Sequence, residues 1–320
     1  MNIPLLAGNR KVAIIGAGYV GASIAYALTL RNIARDIVLI DIDDKKAAGE
    51  ALDIRHGIPY MGKSVVRAGD YSDCKDCDLI VITAGRGRRP GETRLQLMQD
   101  NCHIMRNVVE QIQKYYTRSV IMVVSNPVDI LTYLCDKWMG LENGMVVGTG
   151  CALDSSRLVR CVADYVKLST EVIKGTVVGE HGDSQMPIWS RLTIAGIPMK
   201  EYCDNVGLAW GDAEKNAIAQ RVKTMGGEII SAKGRTHFGI ATCVCSLADA
   251  VMNQRITIAS VSSVLQGEYG VNGVALSMPS IIGVNGGERR LEENWTTAEI
   301  GAFRQSAITL KNKIDELGNI

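Results

Sequence analysis

The run Lys-Val-Ala-Ile-Ile at residues 11–15 passes directly into Gly16-Ala17-Gly18-Tyr19-Val20-Gly21, which opens a helical stretch over 21–30. This strand, glycine turn and helix limit the fold more tightly than any other feature of the chain. A Gly-x-Gly-x-x-Gly spacing is weak alone, but between a strand and a helix it has a mechanical reason. The first glycine permits a tight turn, the second lets a pyrophosphate approach the backbone, and the third lets helix pack on strand. The helix then offers its free N–H groups and partial positive charge to the phosphates. The next strand, 37–40, ends in Asp41, where a carboxylate accepts from both hydroxyls of an adenine ribose and repels a 2′-phosphate. Gly16, Gly18, Gly21 and Asp41 therefore predict NAD rather than NADP. The rival readings are a turn that binds nothing and a flavin.

The alternation continues with apolar runs at 79–83 and 120–124 and a helix through 108–116. Short β-branched runs separated by helices predict βαβ units, because parallel neighbours need a long crossover. The fold class expected is α/β: a Rossmann-type doubly wound parallel sheet in residues 1–148. Beyond Gly148 the texture changes. Helical stretches at 154–165, 210–232 and 242–252, strand-like runs at 172–178 and 256–264, and a charged helix from Thr297 predict a second, mixed α+β substrate domain over 149–320.

Composition removes whole classes of function. The 320 residues are 47% apolar, enough for a large core. Lys+Arg 35 against Asp+Glu 34 leaves a charge of +1, without the basic excess that neutralising a nucleic acid demands. No apolar run approaches the roughly 18 residues of a membrane span. Met1-Asn2-Ile3-Pro4 leads toward a strand and not a cleavable signal, so a cytoplasmic location is expected, with neither nucleic acid nor membrane as partner. Nine scattered cysteines read as reduced thiols. Cys74-x-x-Cys77 and Cys243-x-Cys245 lack histidines at ligand spacing, so no metal is expected.

Of four histidines, one, His181, follows an apolar strand inside Gly179-Glu180-His181-Gly182-Asp183. A strand end flanked by glycines holds an imidazole rigidly, and histidine is the side chain whose ordinary pKa suits proton transfer near neutrality. Taken with Pro90-Gly91-Glu92-Thr93-Arg94, Ser125-Asn126-Pro127-Val128-Asp129 and Gly148-Thr149-Gly150-Cys151-Ala152-Leu153-Asp154-Ser155-Ser156-Arg157, this segment resembles the L-lactate/malate dehydrogenase family. The likeness runs in order from about Lys11 to the C-terminal helix. It implies an NAD-dependent dehydrogenase of a small 2-hydroxy acid with His181 as acid and base. Asp154 would orient the ring, Arg157 would clamp the substrate carboxylate with its planar fork, and Arg94 would bring charge to the ketone oxygen from a closing loop, 85–97. Asn126 would add a hydrogen bond near substrate or nicotinamide. The duller reading makes Asp154 and Arg157 an ordinary helical pair.

The resemblance also bears on substrate. Six residues before Arg94 stands Arg88, where lactate-type members carry Gln and malate-type members Arg. Closing this loop over pyruvate would set a cation against a methyl group, and an unpaired buried charge costs on the order of 2–5 kcal/mol. Malate and oxaloacetate are therefore the expected pair. Lactate and pyruvate are the alternative: Gly182-Asp183-Ser184, Pro187-Ile188-Trp189-Ser190 and Lys233-Gly234-Arg235-Thr236 resemble the lactate enzymes more, and by that resemblance Thr236 would narrow the substrate pocket. Val159 and Lys174 stand where bacterial lactate dehydrogenases regulated by fructose 1,6-bisphosphate carry Arg and His. A homo-oligomer, dimer or tetramer, is implied. A non-catalytic NAD sensor would keep the glycines and Asp41 without needing His181, Asp154, Arg157 and Arg94 together.

Overall fold

Aliphatic runs too apolar to face water become the strands of one sheet in this computed structural model, which describes residues 10–87 and 91–318. In the first half, β1 (Lys11–Ile15), α1 (Tyr19–Leu30), β2 (Asp36–Ile40), α2 (Asp44–Met61), β3 (Val65–Ala68), β4 (Leu79–Ile82), α3 (Arg94–Gln113), β5 (Val120–Val123), α4 (Val128–Met139) and β6 (Val146–Gly148) follow one another. Val12 and Ile14 bury against α1, α2 and a later helix, while Ala13 and Ile15 bury on the opposite face with α3 and α4. Helices on both faces are why these strands carry no polar alternation. Their parallel order, β3-β2-β1-β4-β5-β6, reverses between β1 and β4. A doubly wound sheet opens its ligand crevice at that reversal, beyond the carboxyl ends of the strands.

The second half contains α5 (Ala152–Val166), β7 (Ile173–Lys174), β8 (Val177–Val178), β9 (Met186–Pro187), β10 (Thr193–Ile194), β11 (Ile197–Pro198), α6 (Met199–Val206), α7 (Asp212–Lys233), α8 (Phe238–Asn253), β12 (Thr257–Gln266), β13 (Asn272–Gly283), β14 (Gly286–Arg290) and α9 (Thr297–Glu316). The α/β class is observed, but the sheet does not stop at β6. Ser262 of β12 pairs antiparallel with Gly148, and β13 and β14 extend the sheet further. A third apolar cluster forms between α5, α6 and α7.

Two local expectations change. The strand-like run at 172–178 divides into β7 and β8 around Gly175, where a side chain would come within 2.8 Å of Leu192. The loop expected at 85–97 ends at Thr93. Thr93 and Gln96 close a reciprocal capping box, with Gln96 N–H donating to Thr93 Oγ1 at 3.1 Å and Thr93 N–H to Gln96 Oε1 at 3.0 Å. Arg94 thus opens a helix instead of lying mid-loop. No helix among the described residues is long and apolar enough to cross a membrane.

Candidate active site

The glycine turn lies at the sheet's reversal and every one of its glycines is accounted for. Gly16 has φ +106°, and a Cβ there would stand 2.7 Å from Thr83 Oγ1 and 2.8 Å from the Ala84 nitrogen. At Gly21 it would stand 1.9 Å from the Gly16 carbonyl oxygen. At Gly18 it would meet only Lys46 Nζ, at 3.9 Å, so that flank of the turn is open. The N-terminus of α1 has neither a side-chain cap nor an acid in its first turn, leaving its N–H groups and dipole for an anion. Asp41 braces the turn, accepting Ala17 N–H at 2.6 Å on one oxygen and Asp43 N–H at 3.1 Å on the other. Each oxygen keeps a second lone pair for a ribose hydroxyl. Close backbone approach, free helix N–H groups and a carboxylate one strand away fit NAD.

The segment carrying His181 is held through its main chain and its ring. After β8 the backbone is clamped by reciprocal bonds between Gly179 and Ser277, at 2.9 and 3.1 Å, and by Glu180 N–H to Ser306 Oγ at 2.9 Å. The His181 N–H donates to Asp129 Oδ2 at 2.7 Å. Ring Nδ1 meets Asp154 Oδ2 at 2.5 Å. A carboxylate on Nδ1 fixes the proton there and leaves Nε2 as the nitrogen able to exchange a proton. The Asp154 side chain is 1% exposed and that of His181 28% exposed, so the imidazole reaches solvent from a buried base.

Burial pulls the His181 pKa down, but the hydrogen bond and charge of Asp154, with the charge of Asp129, outweigh it and hold the imidazole above its ordinary range. For Asp154 burial raises the pKa, and His181 and Arg157 reverse this to leave it below the usual carboxylate value. Cys151 brings its sulfur to the same place, within 4.8 Å of the ligating atoms of Asp154 and His181. Burial pushes that thiol well above its normal pKa, so it is a neutral neighbour.

Arg157 reaches Asp154 Oδ1 through Nη1 at 2.7 Å, three residues apart on α5. The helical pair therefore exists, and its guanidinium runs beside Gly226 of α7. Thr236 sits between Arg235 and His237, which both pack on Tyr19 of the glycine turn, Arg235 Cζ 3.7 Å from the ring and His237 stacked at 5.9 Å. The segment before α8 is thereby seated against the cofactor turn. Asn126 is exposed at the end of β5, and its carbonyl accepts from Asn101 Nδ2 at 2.8 Å. Arg88 and the side chain of Arg94 lie outside the described residues.

Two residues here escaped the sequence reading. Asn101, 3% exposed, also accepts Arg86 N–H at 3.0 Å and so ties the start of the loop to the Asn126 turn. Its signal was a polar residue on the buried stripe of Met98 and Met105. The signal for Asp129 was an acid inside the largely apolar run from Val128 to Leu134.

The family model for the lactate/malate dehydrogenase NAD-binding domain matches residues 10–148, and that for the lactate/malate dehydrogenase α/β C-terminal domain matches 151–319. An L-lactate dehydrogenase from Thermoanaerobacter pseudethanolicus is 43% identical over 96% of this chain and 99% of its own. One from Acetivibrio thermocellus is 40% identical over 96% and 97%. The crystal structure of a minor L-lactate dehydrogenase from Enterococcus mundtii with ligands bound superposes with a TM-score of 0.92, at 36% identity over 97% of this chain and 98% of that one.

Proposed function

Because the chain belongs to the lactate/malate dehydrogenase family, NAD-dependent oxidoreductases acting on a 2-hydroxy acid, we propose that it interconverts L-lactate and pyruvate with His181 as the acid and base. The observation that carries the reaction is the 2.5 Å contact between His181 Nδ1 and buried Asp154, which points Nε2 outward as the proton-transfer atom. Bound NAD supplies or accepts the hydride at C2 of the substrate. In reduction, Nε2 gives its proton to the ketone oxygen and Asp154 then faces a neutral imidazole; oxidation runs in reverse. Arg157 presents its remaining guanidinium N–H groups to the substrate carboxylate, Arg94 polarises the ketone, and Asn126 and Thr236 border the pocket. Gly16, Gly18, Gly21 and Asp41 hold the dinucleotide.

For the substrate, the reading rests on full-length relatives named L-lactate dehydrogenase and on Thr236. It reverses the order of preference drawn from Arg88. Malate and oxaloacetate are the second reading, because Arg88 matches a second carboxylate. The test is NADH oxidation with pyruvate and with oxaloacetate side by side. A higher kcat/KM for pyruvate supports the lactate reading; a preference of about thirtyfold for oxaloacetate, worth about 2 kcal/mol, replaces it with the malate reading. A dimer or tetramer in the cytoplasm completes the proposal, in keeping with nine free thiols.

A further inference from the structure

Asp129 is the second residue of α4 and is 2% exposed. An acid in the first turn of a helix ordinarily lies in water, where it complements the dipole. This one points across the fold, and its Oδ2 accepts the backbone N–H of His181, 52 residues away, at 2.7 Å. Among the described residues its other oxygen has no hydrogen-bond partner, and neither has the equally buried Ser262 hydroxyl beside it. A neutral amide would satisfy the same N–H without confining a charge, and confined charge is costly unless fully paired. Burial accordingly raises the Asp129 pKa to about 6. The fold thus tolerates, next to His181, a carboxylate that its stability would rather lose.

We propose that Asp129 is a positioning residue for His181, setting the imidazole through its backbone N–H and acting with Asp154 as the second negative charge behind the imidazolium. This rests on the reading of His181 as acid and base. In oxidation of the 2-hydroxy acid, Nε2 takes the hydroxyl proton as the hydride leaves C2 for NAD, and positive charge appears on the ring. Among the described residues, the charged groups that act on the ring are Asp154 and Arg157 from α5 and Asp129 from α4. Glu180, next in sequence, is already bound to Lys313 of α9 and to the Ser184 hydroxyl. Asp154 holds the ring at Nδ1; Asp129 holds the main chain that carries it. Removing one leaves the other half of the grip.

Asp129→Asn keeps the shape and an acceptor oxygen while deleting the charge. The expected result at pH 8 is a melting temperature equal to or above that of the parent, unchanged NADH affinity and KM, and a fall in kcat of about tenfold, one pKa unit of lost charge stabilisation. The alkaline limb of 2-oxo acid reduction should move to lower pH. A merely structural role would shift melting and leave the pH limb in place. Unchanged kcat with an unchanged limb overturns the proposal. Should that variant not fold, Ser262→Ala withdraws the hydroxyl beside the charge; turnover relative to the parent should then fall more near pH 6 than at pH 8, and a ratio flat in pH overturns the proposal equally. His181→Asn separates the two levels. If it keeps turnover, the acid-base reading itself fails; if it abolishes turnover while Asp129→Asn is silent, only the role of Asp129 fails.

Discussion

The segment carrying His181 and residues 83–87, which leave β4, are both polar connections leaving buried strands, yet they are held by opposite means. Residues 179–181 hang from backbone hydrogen bonds to Ser277, Ser306 and Asp129, partners far away in sequence and buried in the core. At the start of the other segment, Arg86 is held by side-chain ion pairs with Glu92 and Asp100 and by Asn101. Buried N–H groups cannot trade their partners for water, and leaving one unmade costs about 1–3 kcal/mol. An ion pair with a half-exposed partner such as Asp100 is screened and replaceable, while that with Glu92, whose side chain is 11% exposed, is more sheltered. The difference bears on the tasks proposed for them: the imidazole proposed for proton transfer stands on a segment fixed by buried backbone bonds, whereas the start of the other segment is fixed by side chains that a substitution can replace.

The sharpest way to break this contrast is His181→Asn. Without an acid-base group on the rigid segment, kcat should fall by about 10²–10⁴, while NADH affinity, measured by fluorescence titration, stays as it was because the cofactor turn is built elsewhere. Retained turnover would mean that the rigid frame holds no chemistry.

A middle-sized effect is expected just past the other segment. Arg88→Gln should raise the ratio of pyruvate to oxaloacetate kcat/KM by about thirtyfold, the size of a 2 kcal/mol charge effect, with little change in melting temperature. A ratio that does not move removes Arg88 from the pocket and leaves substrate choice to Thr236 and its neighbours.

The same contrast governs what the amino-acid sequence discloses. The turn built by Gly16, Gly18 and Gly21 and the strand-end placement of Asp41 and His181 are legible because each is set by a local turn or strand end. Asp129 and Asn101 look ordinary, since their roles come from partners that only folding brings near: His181 for one, Arg86 and Asn126 for the other. β13 went unread for a different reason. Its run contains Gly273, Ser277, Pro279 and Ser280, and proline in a run argues against a central strand. Yet β13 lies between β12 and β14, with Pro279 opposite Ser260 and its carbonyl accepting Leu291 N–H at 2.8 Å. The joining of the two halves through Ser262 and Gly148 was equally hidden, because strand order is a long-range property.

The smallest effect concerns the ion pairs themselves. Glu92→Gln keeps the size of the side chain and removes one of the two charges on Arg86, whose pKa the pair holds high. Asp100 and Asn101 remain. If the loop depends on replaceable contacts, KM for the 2-oxo acid should rise by no more than about twofold to threefold, because Asp100 still pairs with Arg86, with kcat unchanged. Added salt should bring the parent toward the variant, because it weakens in the parent the ion pair that the variant lacks. A tenfold loss of kcat that salt does not reproduce would place the Arg86 network with the fixed parts of the site. The distinction between a rigid segment for chemistry and an adjustable one for substrate would then fall, and substrate specificity could not be altered without disturbing the proton-transfer frame.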